Sequence, residues 1–471
     1  MKLWKHTALA KPAALALAIA AAYPAVALAQ SNEELLKELR ALKDRVGELE
    51  KKLADKPAAG AAGTAQWGMT PEQVQDFNRI SVKTEGLEDA IEAQGLKGLK
   101  ISGVIDPTYI FNRRQGTSSF AFLNNFSGNE SFAYDNSYFG MAVIDFQKEL
   151  EGGTRWRLTL APHKSVGSNY NFPSIVHEAS VSIPLGDLQT RLWAGQIPDW
   201  SGYEYYLANQ TKFITHNMMF DFLAPTFYTG VGTDMTVGKW QVKTAIANMD
   251  AARNNVGNDG RALRSPIFTT RVDYSKGEFN GAGGSLQLGR AANTVAGGYS
   301  GLVNGEVDAY FIRGNVTLQG QLNYGQQKSA AFNGGDSRWY GLSALGAYKI
   351  TPRLELATRF DYINNRKNGG GTFNIAFPCD ADGVCGPDGR NGFGPGRVLD
   401  SESGKWIAGD PNSGANRYAL ALALNYALTS NASLKLEYRY DRADVPVFIS
   451  LPDGGYKKDN HLLGTSVVVS F

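Results

Sequence analysis

Charged residues recur at every second position in several segments of this chain. In TRWRLTLAP (154–162), Arg155 and Arg157 flank Trp156. In LELATRFDYI and SLKLEYRYD one face carries Glu355, Arg359 and Asp361, then Lys435, Glu437, Arg439 and Asp441. A period of two puts such residues on one face of a β-strand and their apolar neighbours on the other. Arg191, Lys243 and Arg271 add cations, and Glu178 and Asp273 add acids. Rows of charge of this kind screen ions that pass over them, or pair with one another and stiffen a wall. The spacing leaves both readings open for each residue. Arg155 and Arg157, about 6–7 Å apart along one strand, repel unless acids or anions lie between them, and are read as part of an anion-attracting wall.

Other chemistry is sparse. After the first 29 residues the histidines are His163, His177, His216 and His461, and none stands in a nucleophile–base motif. No enzyme and no cofactor is expected. Cys379 and Cys385 are the only cysteines. In an exported chain they read as a local disulfide; no histidine lies near enough in sequence to suggest a metal site. Asp380, Asp382 and Gly383 echo a calcium loop without its full twelve-residue pattern. The segment 198–226 is rich in aromatics, with Trp200, Tyr203, Tyr205 and Tyr206. Folded inward, it would set a constriction where rings stack on solutes; folded outward, it would pack on itself.

The elements that position these residues begin with an export signal. Lys2, Lys5 and Lys11 precede an apolar Ala/Leu stretch that ends in Ala27-Leu28-Ala29, so residues 1–29 read as a cleaved signal peptide and Gln30 as the mature start. No later segment supplies the ~18 apolar residues of a spanning helix, which excludes a helical membrane protein. Without the three signal lysines the chain holds 44 basic and 45 acidic residues, a balance that argues against nucleic acid as a partner. Residues 30–53 read as a coiled coil: Leu35, Leu39, Leu42, Val46, Leu49 and Leu53 keep a 4-3-4-3-4 spacing. Self-association or docking on the rest of the chain would bury that seam. Residues 54–66 form a small-residue linker. Thr70-Pro71-Glu72-Gln73 is a helix start, and short helices are expected at about 71–80 and 85–94 within 67–96.

From residue 97 the chain reads as strands, near 97–112, 137–150, 154–165, 174–184, 188–197, 227–237, 240–250 and 264–275. Eight more follow near 283–292, 304–314, 316–327, 338–349, 354–365, 416–428, 433–444 and 460–471. Most exceed the 9–11 residues of a tilted spanning strand. Short connections at 151–153, 185–187, 238–239, 314–315, 350–353 and 429–432 alternate with long ones at 113–136, 198–226, 251–263, 366–415 and 445–459. That alternation predicts an all-β transmembrane barrel of about 16 antiparallel strands over 97–471. Aromatic residues on the apolar face cluster at both strand ends, with Phe146, Trp156, Trp240, Tyr274, Tyr348, Tyr426 and Phe471 beside the short turns. Tyr109, Phe111, Phe268, Tyr324, Tyr340, Tyr362, Tyr418 and Tyr440 lie beside the long loops, so the two sets read as interfacial girdles.

The terminal phenylalanine, signal, coiled coil and strand pattern resemble those of trimeric outer-membrane porins of diderm bacteria. WAGQIPDWSGYEYYLANQTKFITHNMMFDFLAPTFYTGVG (193–232) resembles the corresponding stretch of the OmpL-like β-barrel porin group, and the helical extension is similar to that of phosphate-selective and DcaP-type porins. The resemblance implies passive diffusion of small polar or anionic solutes through a homotrimer in the bacterial outer membrane, with its coiled coil in the periplasm. Residues 97–471 hold 35 basic and 32 acidic residues, too small an excess to assert strong anion selectivity. An adhesin or cell-wall tether, and less readily an outer-membrane hydrolase, are the readings from other classes.

Overall fold

The computed structural model describes residues 70–93, 96–122, 139–161, 175–250, 265–293, 295–373 and 393–471. The expected signal peptide, coiled coil, linker and disulfide lie outside them, as do the expected loop 251–263 and residues 123–136 of the expected loop 113–136.

Helix α1 (Pro71–Ala93) belongs to the first of two compact units. Its start is the expected reciprocal cap: the Thr70 amide donates to Gln73 Oε1 at 2.9 Å and the Gln73 amide to Thr70 Oγ1 at 3.3 Å. It is one helix where the sequence suggested two. The Thr84 hydroxyl bonds back to the Ile80 carbonyl at 2.8 Å instead of capping a new helix. Gly86 alone costs about 1 kcal/mol, too little to break the run.

The second unit is a closed antiparallel barrel. Its wall is built from β1 (Leu99–Ile105), β2 (Thr108–Asn112), β3 (Thr117–Ala121), β4 (Ala142–Glu149), β5 (Arg155–Leu160) and β6 (Val176–Leu185). It continues through β7 (Asp187–Pro198), β8 (Phe227–Val237), β9 (Trp240–Asp250), β10 (Ile267–Ser275), β11 (Asn280–Ala292) and β12 (Tyr299–Arg313). Next come β13 (Val316–Gln327), β14 (Ser337–Lys349) and β15 (Leu354–Asn364). Two short ribbons, β16 (Arg397–Leu399) with β17 (Trp406–Ala408) and β20 (Phe448–Ser450) with β21 (Gly455–Lys457), stand outside the wall. The wall finishes with β18 (Arg417–Ala427), β19 (Ala432–Ala443) and β22 (Asp459–Ser470). β22 pairs with β19 on one side and with β1 and β2 on the other, which closes the ring.

Eighteen hydrogen-bonded segments make sixteen wall strands, because two of those strands are interrupted. β1 and β2 are one strand broken at Asp106-Pro107, where proline supplies no N–H. The gap is stitched by the Asp106 carboxylate, which accepts from the amides of Gly140 at 3.0 Å and Met141 at 2.7 Å. β3 and β4 make up the second strand, pairing with β2 and β1 in turn. The expected long loop at 113–136 is therefore corrected. The chain turns tightly at 113–116, where Gly116 has φ +62°, forms β3, and takes up the second strand again as β4 at Ala142. Five residues, TSSFA, are too few for a period-two signal.

Side chains alternate between two solvents. On β15, Glu355, Ala357, Arg359, Asp361 and Ile363 are buried inward while Leu356 and Phe360 are exposed outward. On β18 the outward set is Leu420, Leu422 and Leu424. Outward aromatics meet across strands near both ends of the wall, as in the registers Trp240–Tyr274, Tyr324–Tyr340 and Tyr362–Tyr418. Phe471 exchanges backbone hydrogen bonds with Gly103 at 2.9 and 3.1 Å. A Cβ on Gly103 would stand 2.4 Å from the Phe471 ring, so the ring needs glycine beneath it. The largest buried cluster lies inside the barrel, where wall residues meet the segment between β7 and β8.

Candidate functional site

The segment 199–226 folds into the lumen and is seated at three places. At its start, Arg271 on β10 donates to the carbonyls of Trp200 at 2.9 Å and Gly202 at 3.4 Å. The same guanidinium bridges Asp273 at 2.7 Å, Glu306 at 3.1 Å and Asp308 at 2.8 Å. The Trp200 indole donates to Thr269 Oγ1 at 3.2 Å and meets Trp193 edge-on. The Tyr203 hydroxyl shares a 2.6 Å hydrogen bond with Ser343 Oγ. Gly202 has φ +75°, and a Cβ there would lie 2.5 Å from the Gln321 amide.

The second seat is a charged cradle on β15 and β19. Glu437 accepts from the amides of Ile214 at 2.6 Å and Thr215 at 2.8 Å, and from the Thr215 hydroxyl at 2.5 Å. Arg359 donates to the carbonyls of Thr215 at 2.9 Å and His216 at 2.7 Å. Arg439 donates to Thr215 Oγ1 and the His216 carbonyl, both at 3.0 Å. Lys435 Nζ donates to the carbonyls of Ala208 and Thr211, both at 2.6 Å, and Lys212 reaches Glu355 at 2.7 Å. These groups satisfy one another: a buried charge costs several kcal/mol unless paired and hydrogen-bonded.

The third seat is a one-and-a-half-turn helix, α2 (Met218–Leu223), whose first turn is capped when Asn217 Oδ1 accepts from the Phe220 amide at 2.8 Å. Asn304 on β12 donates to the Leu223 carbonyl at 3.0 Å. The Arg417 guanidinium lies 5.1 Å above the Phe222 ring. The wall makes room with small residues: Ala357, Ala419, Ala421 and Ala423 face inward, and a Cβ on Gly341 would stand 2.1 Å from Met219 Sδ.

The sequence-predicted residues therefore separate. Arg271, Arg359, Lys435, Arg439, Glu437 and Asp361 converge on the loop, Asp361 pairing with Arg359 at 3.1 Å. Asp273 stands with Arg271 at that seat. Arg191 is held at the turn end, donating to the Gly153 carbonyl at 2.6 Å. Arg155 pairs with Glu149 at 2.9 Å, both about half-exposed. Arg157 lies between Asp145 at 2.9 Å and Glu178 at 3.2 Å and stays 35% exposed. The two arginines thus face acids. Lys243 has no ion pair among the described residues and keeps solvent contact, as do Asp234, Gln241, Lys100 and Ser102. The loop covers the inner face of β10–β15, β18 and β19 and reaches across to Val143 on β4 and His177 on β6. The solvated inward side chains, Arg157, Lys243, Asp234, Gln241, Lys100 and Ser102, therefore lie on the parts of β1, β5, β8 and β9 that it leaves uncovered.

Of the aromatic candidates, Trp200 and Tyr203 anchor the loop, and Tyr206 packs against His177 with centroids 4.0 Å apart and the rings tilted by 45°. Tyr205 is 58% exposed. Burial pushes the His216 imidazole down to about 3, so it is neutral, and its Nε2–H donates to the Tyr205 carbonyl at 2.8 Å. Lys212, Thr215, His216, Asn217, Glu306, Asp308 and Arg417 were not singled out from sequence. For Glu306 and Asp308 the signal was present, as two acids two residues apart in NGEVDAY. Among the described residues no group of three or more His, Cys, Asp or Glu is arranged to hold a metal ion.

A closed sixteen-stranded antiparallel barrel with an apolar exterior, a polar interior and one long loop folded inside is a porin-like β-barrel. The chain belongs to the family described as "Protein of unknown function (DUF3138)", whose sequence model matches residues 68–471. No curated protein matches it in sequence. Solved structures similar to it include OmpT of Vibrio cholerae in its trimer form, at 11% identity and TM-score 0.47 over 79% of this chain and 99% of that one. An anion-selective porin from Comamonas acidovorans matches at 10% identity and TM-score 0.46, over 79% and 99%. Pseudomonas putida OprB matches at 10% identity and TM-score 0.46, over 82% and 97%.

Proposed function

We propose that the chain is an outer-membrane channel that passes small hydrophilic solutes by passive diffusion between the inward loop and the wall it leaves uncovered. The observation that carries this is the seated loop: it narrows the lumen and leaves solvated charge, Arg157 and Lys243 among it, on the wall it does not cover. Lipid is the solvent that suits the outward face, since a charge there costs roughly 2–4 kcal/mol near the midplane and the outward positions of β15 and β18 carry none. In this reading residues 1–29 direct export, residues 30–53 lie in the periplasm and self-associate, and the barrels form a homotrimer. Arg157, Lys243, Glu178 and Asp145 line the passage and screen ions; Arg271, Arg359, Lys435, Arg439 and Glu437 hold the constriction in place.

Liposome swelling with the refolded chain tests it. Small sugars and amino acids should enter at rates that fall steeply with solute size. Swelling no faster than in empty liposomes would reject the channel.

A further inference from the structure

Between its two limbs the inward loop encloses a void that the wall contacts leave unexplained. The limbs are tied at one end where the Asp199 amide donates to the Thr226 carbonyl at 3.0 Å. At the other end the Asn217 amide donates to Glu204 Oε2 at 3.1 Å and His216 Nε2 to the Tyr205 carbonyl at 2.8 Å. Next to the first tie sit Pro198 and Pro225, which have no N–H with which the limbs could zip further. The space left is about 80 Å³, several times what a single water needs. Its lining includes the carboxylates of Asp199 and Glu204, the rings of His177, Tyr206 and Phe220, and Tyr205 at the exposed mouth.

The cations nearest this void are each shared with acids, Arg157 between Asp145 and Glu178. Arg271 is shared among Asp273, Glu306 and Asp308. Arg359 is committed to Asp361 at 3.1 Å and to two loop carbonyls, and stands 3.8 Å from Glu204. Asp199 takes hydrogen bonds from the Ser201 amide and hydroxyl, each at 2.9 Å, which supply dipoles and no charge. His216 is neutral. Burial pushes Asp199 up to about 6 and Glu204 up to about 7, so a cation seated beside them would favour their charged forms. An anion is repelled here, and a bare metal ion would find rings where it needs oxygen ligands. Rings plus carboxylates suit a cation with an apolar shell, which gains from the face of tyrosine or phenylalanine as well as from the charge.

We propose that this void is a binding subsite for a small organic ammonium ion, with its charge toward Asp199 and Glu204 and its methyl or methylene groups against Tyr206, Phe220 and His177. The proposal rests on the channel reading for the route by which the ion arrives. It makes the loop a selective surface as well as an obstruction.

Calorimetric titration of the detergent-folded full chain with tetramethylammonium chloride, at constant ionic strength in sodium chloride, tests the subsite without needing a current. Saturable binding is expected, weakened by about tenfold or more in D199N/E204Q and weakened also in F220L, which keeps apolar bulk and removes the ring. No saturable heat in the wild-type chain, or equal affinity in wild type and both variants, overturns the proposal. Bilayer recordings of the same samples separate it from the channel reading. Binding with no current keeps the subsite and removes the channel. Current with no tetramethylammonium binding removes the subsite and leaves the channel.

Discussion

Replacing Glu437 with alanine should release the middle of the inward loop. Its carboxylate is fully buried and accepts three hydrogen bonds, from Ile214 N, Thr215 N and Thr215 Oγ1, at 2.5–2.8 Å. Hydrogen bonds to a charged group contribute about 1.5–3 kcal/mol each, but water reaches part of the vacated site. The substitution also leaves Arg359, Arg439 and Lys435 with one acid fewer. Breaking a buried ionic contact from one side costs about 3–5 kcal/mol, and the loop seat should weaken by that amount. At about 1.4 kcal/mol per decade, the open population of the segment rises by between a hundredfold and a few thousandfold. Native-state amide exchange on a peptide spanning 213–216 reads this directly, because the Ile214 and Thr215 amides are the donors. Exchange there should accelerate by about two to three and a half decades while the amides of β15 and β19 keep their protection. Unchanged protection at Ile214 and Thr215 in a folded barrel would refute the claim that Glu437 holds the loop.

Other outcomes follow from the same contacts. Gly341→Leu puts a branched side chain where Met219 Sδ lies 2.1 Å from a Cβ, so α2 should lift and single-channel conductance rise. Arg157→Ala removes the cation between Asp145 and Glu178 and should move the zero-current potential toward cation preference, more at low salt; Arg155→Ala, at the exposed rim, should move it less. Glu204 has its folded pKa raised to about 7 from an ordinary 4.5, so the folded loop binds more protons between those values and its contribution to stability falls as pH rises from about 4.5 to about 7. Glu204→Gln should flatten that part of the pH dependence of exchange at residues 214–217. An isolated peptide of residues 31–53 should be helical and associated at high micromolar concentration by circular dichroism and cross-linking; an unstructured monomer would argue against self-association.

The strands were legible because inward and outward environments differ sharply enough that charged and apolar residues alternate along most of β15 and β19, with Thr358 and Arg442 among the polar residues on the outward face. TSSFA was misread as part of the loop 113–136 because so short a piece of strand carries no period-two run. The seat of the loop was not legible. Glu437 and Thr215 are separated by 222 residues, and no local pattern tells a carboxylate that binds a loop from one that lines a passage. The aromatics of 198–226 read equally as an external cluster; what brings them inside is the bare inner surface of β18, where Ala419, Ala421 and Ala423 alternate with outward-facing leucines. That alanine row was visible in RYALALALNYA, and its meaning needed the partner that fills it.

The most direct test of the central claim is single-channel recording from the purified chain in planar bilayers, compared with a chain in which residues 203–223 are replaced by a short glycine-serine linker. The account predicts discrete ohmic steps from the intact chain and markedly larger steps from the shortened one, since the loop occupies part of the lumen. A folded barrel that gives no steps, or steps of the same size with the loop removed, would contradict it.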